Sequence, residues 1–272
     1  MEVVPPSAIQ HARQYPFAIP AHSYLYLDGR HWKLDMKAGG NLLEAVVHHN
    51  GKTEPLASIA ESVDLDSASL LASRVAVLSL GSNASPDQLG RKFSALPKPV
   101  FIPVIRGQLL DFDVVYSAHI TRYGSVPAAL AASTGTQVQV FINLLDESQL
   151  EVMHHTESVG RNYAFSRLEG IKLELEGGAI MDEICFYRSR HGVLKECDHP
   201  IALAAIPALG RSYPALNEAE ALAWVRDKLA PDTGLDEFIA ANIASAELRQ
   251  RRIDALSAFS TPADYPYQDI IG

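Results

Sequence analysis

The sequence predicts an α+β protein: a small mixed β-barrel or sandwich with a helical portion at its C-terminal end. Three observations carry this. Apolar runs of strand length recur between Val75 and Tyr187 with few helical stretches between them. Two of them are joined by Gly177-Gly178, a hairpin turn signal. From Asn217 onward the apolar spacing becomes helical.

The elements follow in order. Tyr24–Leu27 and His31–Leu34 read as two short strands joined by Asp28-Gly29. Asn41 then caps an expected short helix through Val47, ending near Gly51. Val75–Leu80 reads as a buried strand, and Val104–Val115 as another, with Gly107 as its bulge. Gln137–Leu145 alternates, with Val138, Val140, Ile142 and Leu144 on one face. Asp146 is an N-cap, with Gln149 three residues on, for a helix through about Thr156. Ile171, Leu173 and Leu175 alternate with charged residues before the diglycine turn into Ile180–Tyr187. Asn217 caps Glu218–Leu229, and a further helical pattern runs over Leu235–Leu256.

Composition narrows the function classes. At 272 residues, 47% hydrophobic and 20% charged, the chain can bury a core. Its 23 basic and 32 acidic residues give a net charge of −9, which argues against nucleic acid or an anionic membrane as partner. The two cysteines, Cys185 and Cys197, make no disulfide framework, and neither a signal peptide nor an apolar run of membrane-span length is evident. The expectation is a soluble cytoplasmic protein.

Ser79-Leu80-Gly81-Ser82-Asn83 is the most informative stretch. It lies between a strand and the helix-start signal Ser85-Pro86-Asp87-Gln88, in which Ser85 suits an N-cap, Pro86 the first helical position and Gln88 a capping box. Such a loop aims free amides and the positive end of a helix at one point, where a carboxylate or developing oxyanion can sit. The same residues also describe an ordinary tight turn, with Gly81 at positive φ. No phosphate-loop or dinucleotide fingerprint is present.

In this order the elements resemble the γ-glutamylcyclotransferase-like family. The strand into Gly81-Ser82-Asn83, then Gly107-Gln108-Leu109, then Val126–Leu130, then Val138–Phe141 leading to Leu145–Leu150 and Glu157 carry the likeness, over roughly residues 74–190. It implies a barrel core at 73–195; an N-terminal addition at 1–72, no strand-for-strand part of that core, and the helical portion at 196–272 lie outside the likeness. Two positions depart from the family pattern: Leu80 stands where the family loop begins with Tyr, and Met153-His154-His155-Thr156-Glu157 replaces Leu-Asp-x-x-Glu.

The resemblance implies cyclisation of a small γ-glutamyl substrate to 5-oxoproline, with release of an amine or amino acid and no metal or organic cofactor. Glu157 would be the base that takes a proton from the substrate ammonium. Free glutamate, at about 4.3, is a poor base, and burial strengthens it; Phe141, Val152 and Val159 are the expected apolar neighbours. The amides of Gly81, Ser82 and Asn83, beside Leu80, would hold the oxyanion. Arg122 and Tyr123 could hold a substrate carboxylate, and His155 or His154 could contact substrate.

Other readings stay open. The pairs His48-His49 and His154-His155 diverge on any regular element and lack metal-ligand spacing, so no metal site is expected. No G-x-S-x-G elbow supports a serine hydrolase. The fold could equally carry a small-molecule binding module without turnover, or a scaffold for another protein.

Overall fold

The computed structural model describes residues 4–67 and 70–272. Its core is a mixed sheet with the strand order β7-β5-β9-β8-β6, closed into a five-stranded barrel by pairing of β6 with β7. Here β5 is Val75–Ser79, β6 Phe101–Tyr116, β7 Ala128–Leu145, β8 Tyr163–Leu175 and β9 Ile180–Ser189. The fold is therefore the expected α+β barrel with added strands and helices.

Four earlier strands extend this sheet: β1 (Tyr24–Leu27), β2 (Arg30–Asp35), β3 (Val46–His49) and β4 (Lys52–Pro55). The β1–β2 turn is made by Asp28 and Gly29, with φ of 51° and 87°. Both central residues at positive φ give the hairpin turn whose twist matches its strands. The helix expected from Asn41 is instead one 3-10 turn, Leu42–Glu44, which Asn41 does cap, before β3 begins. Val46 and Val47 are β-branched, and pairing with β2 wins over helix propagation.

The chain divides into two compact units. One comprises Ala18–Leu110, Gln139–Tyr187 and Pro266–Gly272. Within it β1 pairs antiparallel with β6, Tyr24 opposite Val104, so the N-terminal hairpin continues the sheet beside the barrel strands. Residues 1–3 and 68–69 of the expected N-terminal addition lie outside the described residues. The other unit comprises Met1–Phe17, Asp111–Val138 and Arg188–Tyr265. It holds α1 (Pro6–Arg13) and the C-terminal helices Glu218–Leu229, Leu235–Ala244 and Ala246–Leu256. The last two were one helical pattern in the sequence; Ser245 breaks it and caps the second through Leu248 N.

Two details of the long strands correct the sequence reading. Gly107 is no bulge: it pairs regularly with Leu175, and a Cβ there would lie 3.1 Å from both the Glu174 carbonyl and Leu173. Glycine suits that close approach, which a side chain would meet only if its neighbours shifted by a few tenths of an ångström. The irregular residue of β6 is Asp111, at φ 64°. In β7 the alternation is hidden because both faces are covered: Phe141, Asn143 and Leu145 are as buried as Val138, Val140 and Ile142.

Candidate functional site

β5 delivers the Gly-Ser-Asn loop. After Ser79 the chain makes a 3-10 turn, Ser82–Ala84, and enters α3 (Pro86–Phe93) with Pro86 at its start. Gly81 has φ −148°, so it does not serve as a left-handed turn residue. Ser85 makes no capping hydrogen bond; its Oγ and Gln88 Nε2 are buried without partners, and the expected capping box is not formed.

The loop is held by its carbonyls. Gly81 O accepts from Ala84 N, Ser82 O from Ser85 N, Asn83 O from Asn143 Nδ2 at 2.9 Å, and Ala84 O from the buried Tyr24 hydroxyl at 2.8 Å. Among the described residues no acceptor takes the amides of Gly81, Ser82 or Asn83. A loop whose oxygens are tied to protein and whose N–H groups are free is electropositive along one edge.

α4 (Glu147–Thr156) brings the carboxylate. It starts with the full Asp146–Gln149 capping box and ends at Glu157, whose N–H bonds Met153 O. Ser158, at φ 52°, then turns the chain away. The Glu157 side chain is 14% exposed, not the solvated carboxylate that helix ends usually carry. Phe141, Val152 and Val159 belong to one apolar cluster with Met153, Phe165 and Tyr187. Glu157 Oε1 accepts from Asn83 Nδ2 at 3.2 Å and from the Lys92 ammonium. Thus the loop and the acid, 74 residues apart, share one hydrogen bond.

Sequence reading missed three residues here. Lys92 occupies the inward stripe of α3 with Gln88, Leu89 and Phe93, and a lysine among buried positions was the available signal. Asn143, fully buried in β7 opposite Val77, carried no signal beyond being polar in an apolar run. Tyr187 lies on β9, one residue beyond the Leu78–Phe186 pair. Burial, and after it the charge of Glu157, push its hydroxyl pKa up. Tyr187 Oη lies 3.0 Å from His154 Nδ1. Burial lowers the pKa of His154, opposed by Glu151.

Other expected contacts lie elsewhere. His155 is exposed, and His154 is the histidine that faces Tyr187 and Phe165. Leu80 is half-buried and presents no hydroxyl. Arg122 and Tyr123 belong to the other compact unit, where Arg122 is exposed and Tyr123 lies beside His11 and Phe17. Val126, in that unit too, donates its N–H to the buried Glu218 at 2.8 Å. Among the described residues no group of three or more His, Cys, Asp or Glu side chains is placed to hold a metal ion. His48 and His49 each pair with a different acid, Asp35 and Glu54. No helix among those residues is long and apolar enough to cross a membrane.

The fold and site define an α+β barrel protein in which a strand–loop–helix turn with free amides meets a half-buried, ion-paired glutamate. No family model and no curated protein matches the sequence. Solved structures similar to it include the following two. One, an uncharacterized human protein, is 14% identical, covers 71% of this chain and 92% of its own, and superposes with a TM-score of 0.36. The other, a γ-glutamyl cyclotransferase, is also 14% identical, covers 71% and 90%, and has a TM-score of 0.35. Likenesses at this level say nothing of substrate or catalysis.

Proposed function

We propose that the chain cyclises the γ-glutamyl group of a small compound to 5-oxoproline, with Glu157 as base and the Gly81–Asn83 amides as oxyanion site. The observation that carries this reading is the 3.2 Å bond from the Asn83 side chain Nδ2 to Glu157 Oε1, which ties the acid to the loop that bears the free amides. In the reaction Glu157 takes a proton from the α-ammonium, and the freed amine attacks the γ-carbonyl. A C–N bond closes the five-membered ring, negative charge develops on the carbonyl oxygen beside the free amides, and the bond to the leaving amine then breaks. As that bond breaks Glu157 gives its proton to the leaving amine. The second proton, shed by the ring nitrogen as the lactam forms, follows through Glu157, so the amine departs as an ammonium and the carboxylate is left as it began. The chemistry draws on no metal or organic cofactor, and the setting expected for it is the cytoplasm.

A second reading is a binding module without turnover. The Lys92 ammonium already pairs with Glu157 Oε1, and Leu80 offers no hydroxyl to the loop. Incubating the full chain with γ-glutamyl amino acids, γ-glutamylamines and glutathione, and measuring 5-oxoproline, separates the two. Release from any of them supports the enzyme. No release, with binding of a γ-glutamyl amino acid seen by calorimetry, gives the binding module. Neither release nor binding rejects both.

A further inference from the structure

We infer that Lys92 is a positioning residue, holding Glu157 by one oxygen so that the other works on the ligand. This rests on the reading of Glu157 as the base, and it extends that reading to a residue outside the Gly-Ser-Asn loop and the acid.

Both partners of the ion pair are 14% exposed, so the contact is formed largely out of water, where it restrains the carboxylate more than a surface pair would. Lys92 and Asn83 converge on the same atom, Oε1, from α3 and from the loop. Oε2 receives no bond from any described residue, yet it is not among the buried atoms left without a partner, so solvent reaches it. Two donors fix one oxygen and leave the second free and accessible. Met153 Sδ lies 3.5 Å from Lys92 Nζ and completes its seat on the α4 side. The Tyr187 hydroxyl from β9 pairs with the His154 ring at 3.0 Å.

A lone carboxylate rotates about its last torsion, which is broad and nearly two-fold. Pinned at Oε1, it offers Oε2 in one direction. A misplacement of about 1 Å at a reacting atom can cost about 10²-fold in rate, and this is the loss expected when the pin is removed.

The test uses the full chain as wild type, Lys92→Met and Lys92→Arg. In a crystal structure of Lys92→Met, Glu157 Oε1 should move out of hydrogen-bond reach of Asn83 Nδ2, while Lys92→Arg keeps it there. An unmoved carboxylate in Lys92→Met overturns the inference, whether or not the wild type turns anything over. For an active wild type, Lys92→Met should lower kcat by about 10–100-fold with KM changed far less, and Lys92→Arg should recover most of kcat. Equal kcat in Lys92→Met and wild type, or a change in KM alone, also overturns it. Should Lys92→Met fail to fold, Lys92→Gln takes its place in both arms. A wild type that releases no 5-oxoproline rejects the proposed reaction, and the crystallographic arm still decides the role of Lys92.

Discussion

Asn143 Nδ2 donates a 2.9 Å hydrogen bond to the main-chain oxygen of Asn83, 60 residues earlier in the chain. A fully buried side chain in the barrel wall thereby fixes the loop residue whose own amide touches Glu157. Asn143→Ala leaves the Asn83 carbonyl without its donor inside the protein. The expected cost is about 1–3 kcal/mol, read as a shift in the urea midpoint with an unchanged slope. If 5-oxoproline release is found, the same variant should lower it. An unchanged midpoint would show that water replaces the bond.

Glu157→Gln tests the base directly. Glutamine keeps an acceptor for Lys92 and Asn83 but takes no proton from an ammonium, so release should fall by about 10²–10⁴-fold. The variant also leaves Lys92 with a neutral partner and should lose about 1–3 kcal/mol of stability, so assays belong well below its Tm. Asp146→Ala removes only the cap of α4, at about 1 kcal/mol, and should leave turnover nearly intact. Full activity in Glu157→Gln would mean that another group is the base.

In the unit containing residues 111–138, Arg211 grips Asp113 with two bonds, Nε to Oδ2 at 2.8 Å and Nη2 to Oδ1 at 2.9 Å. Asp113 is fully buried, so Arg211→Met leaves an uncompensated buried carboxylate, which typically costs 3–5 kcal/mol, and about as much is expected here. The double variant Arg211→Met with Asp113→Leu should recover most of the loss. If the single variant melts like wild type, the pair contributes nothing to stability.

The same unit holds two buried groups with opposite pH effects. Burial pushes the Glu218 carboxyl well up, although Val126 N–H favours its charged form. The folded state then keeps a proton that the unfolded chain releases, and stability falls as pH rises above about 4.5. Burial, with the charge of His191 second, takes the His119 pKa down to about 3. There the unfolded chain binds the proton first, and stability falls as pH drops below about 6.5. Tm measured from pH 4 to 8 should therefore rise in Glu218→Gln at neutral pH and converge with wild type near pH 4. His119→Asn should flatten the acid side instead. Parallel Tm curves for wild type and Glu218→Gln would remove Glu218 from this account.

What the sequence determined by itself is local. Asp28-Gly29, the Asp146–Gln149 capping box, the Asn217 cap and the Gly177-Gly178 turn each join residues at most three apart, and each formed as read. Such motifs satisfy their own backbone groups, so their chemistry is complete within a few residues. The alternating runs likewise gave the barrel strands, because period and burial share one origin. Where a local rule met a competing partner, tertiary structure decided. Val46 and Val47 joined β2 in place of a helix, and Ser85 kept the helix start but not its capping bonds. The partners of Glu157 lie 74 and 65 residues away, and the division into units follows strands that run through both. Nothing in the spelling of α3 specifies which acid Lys92 meets. That was set only when the barrel closed and laid α3 beside α4, because charge pairing depends on distance in space and not on distance along the chain.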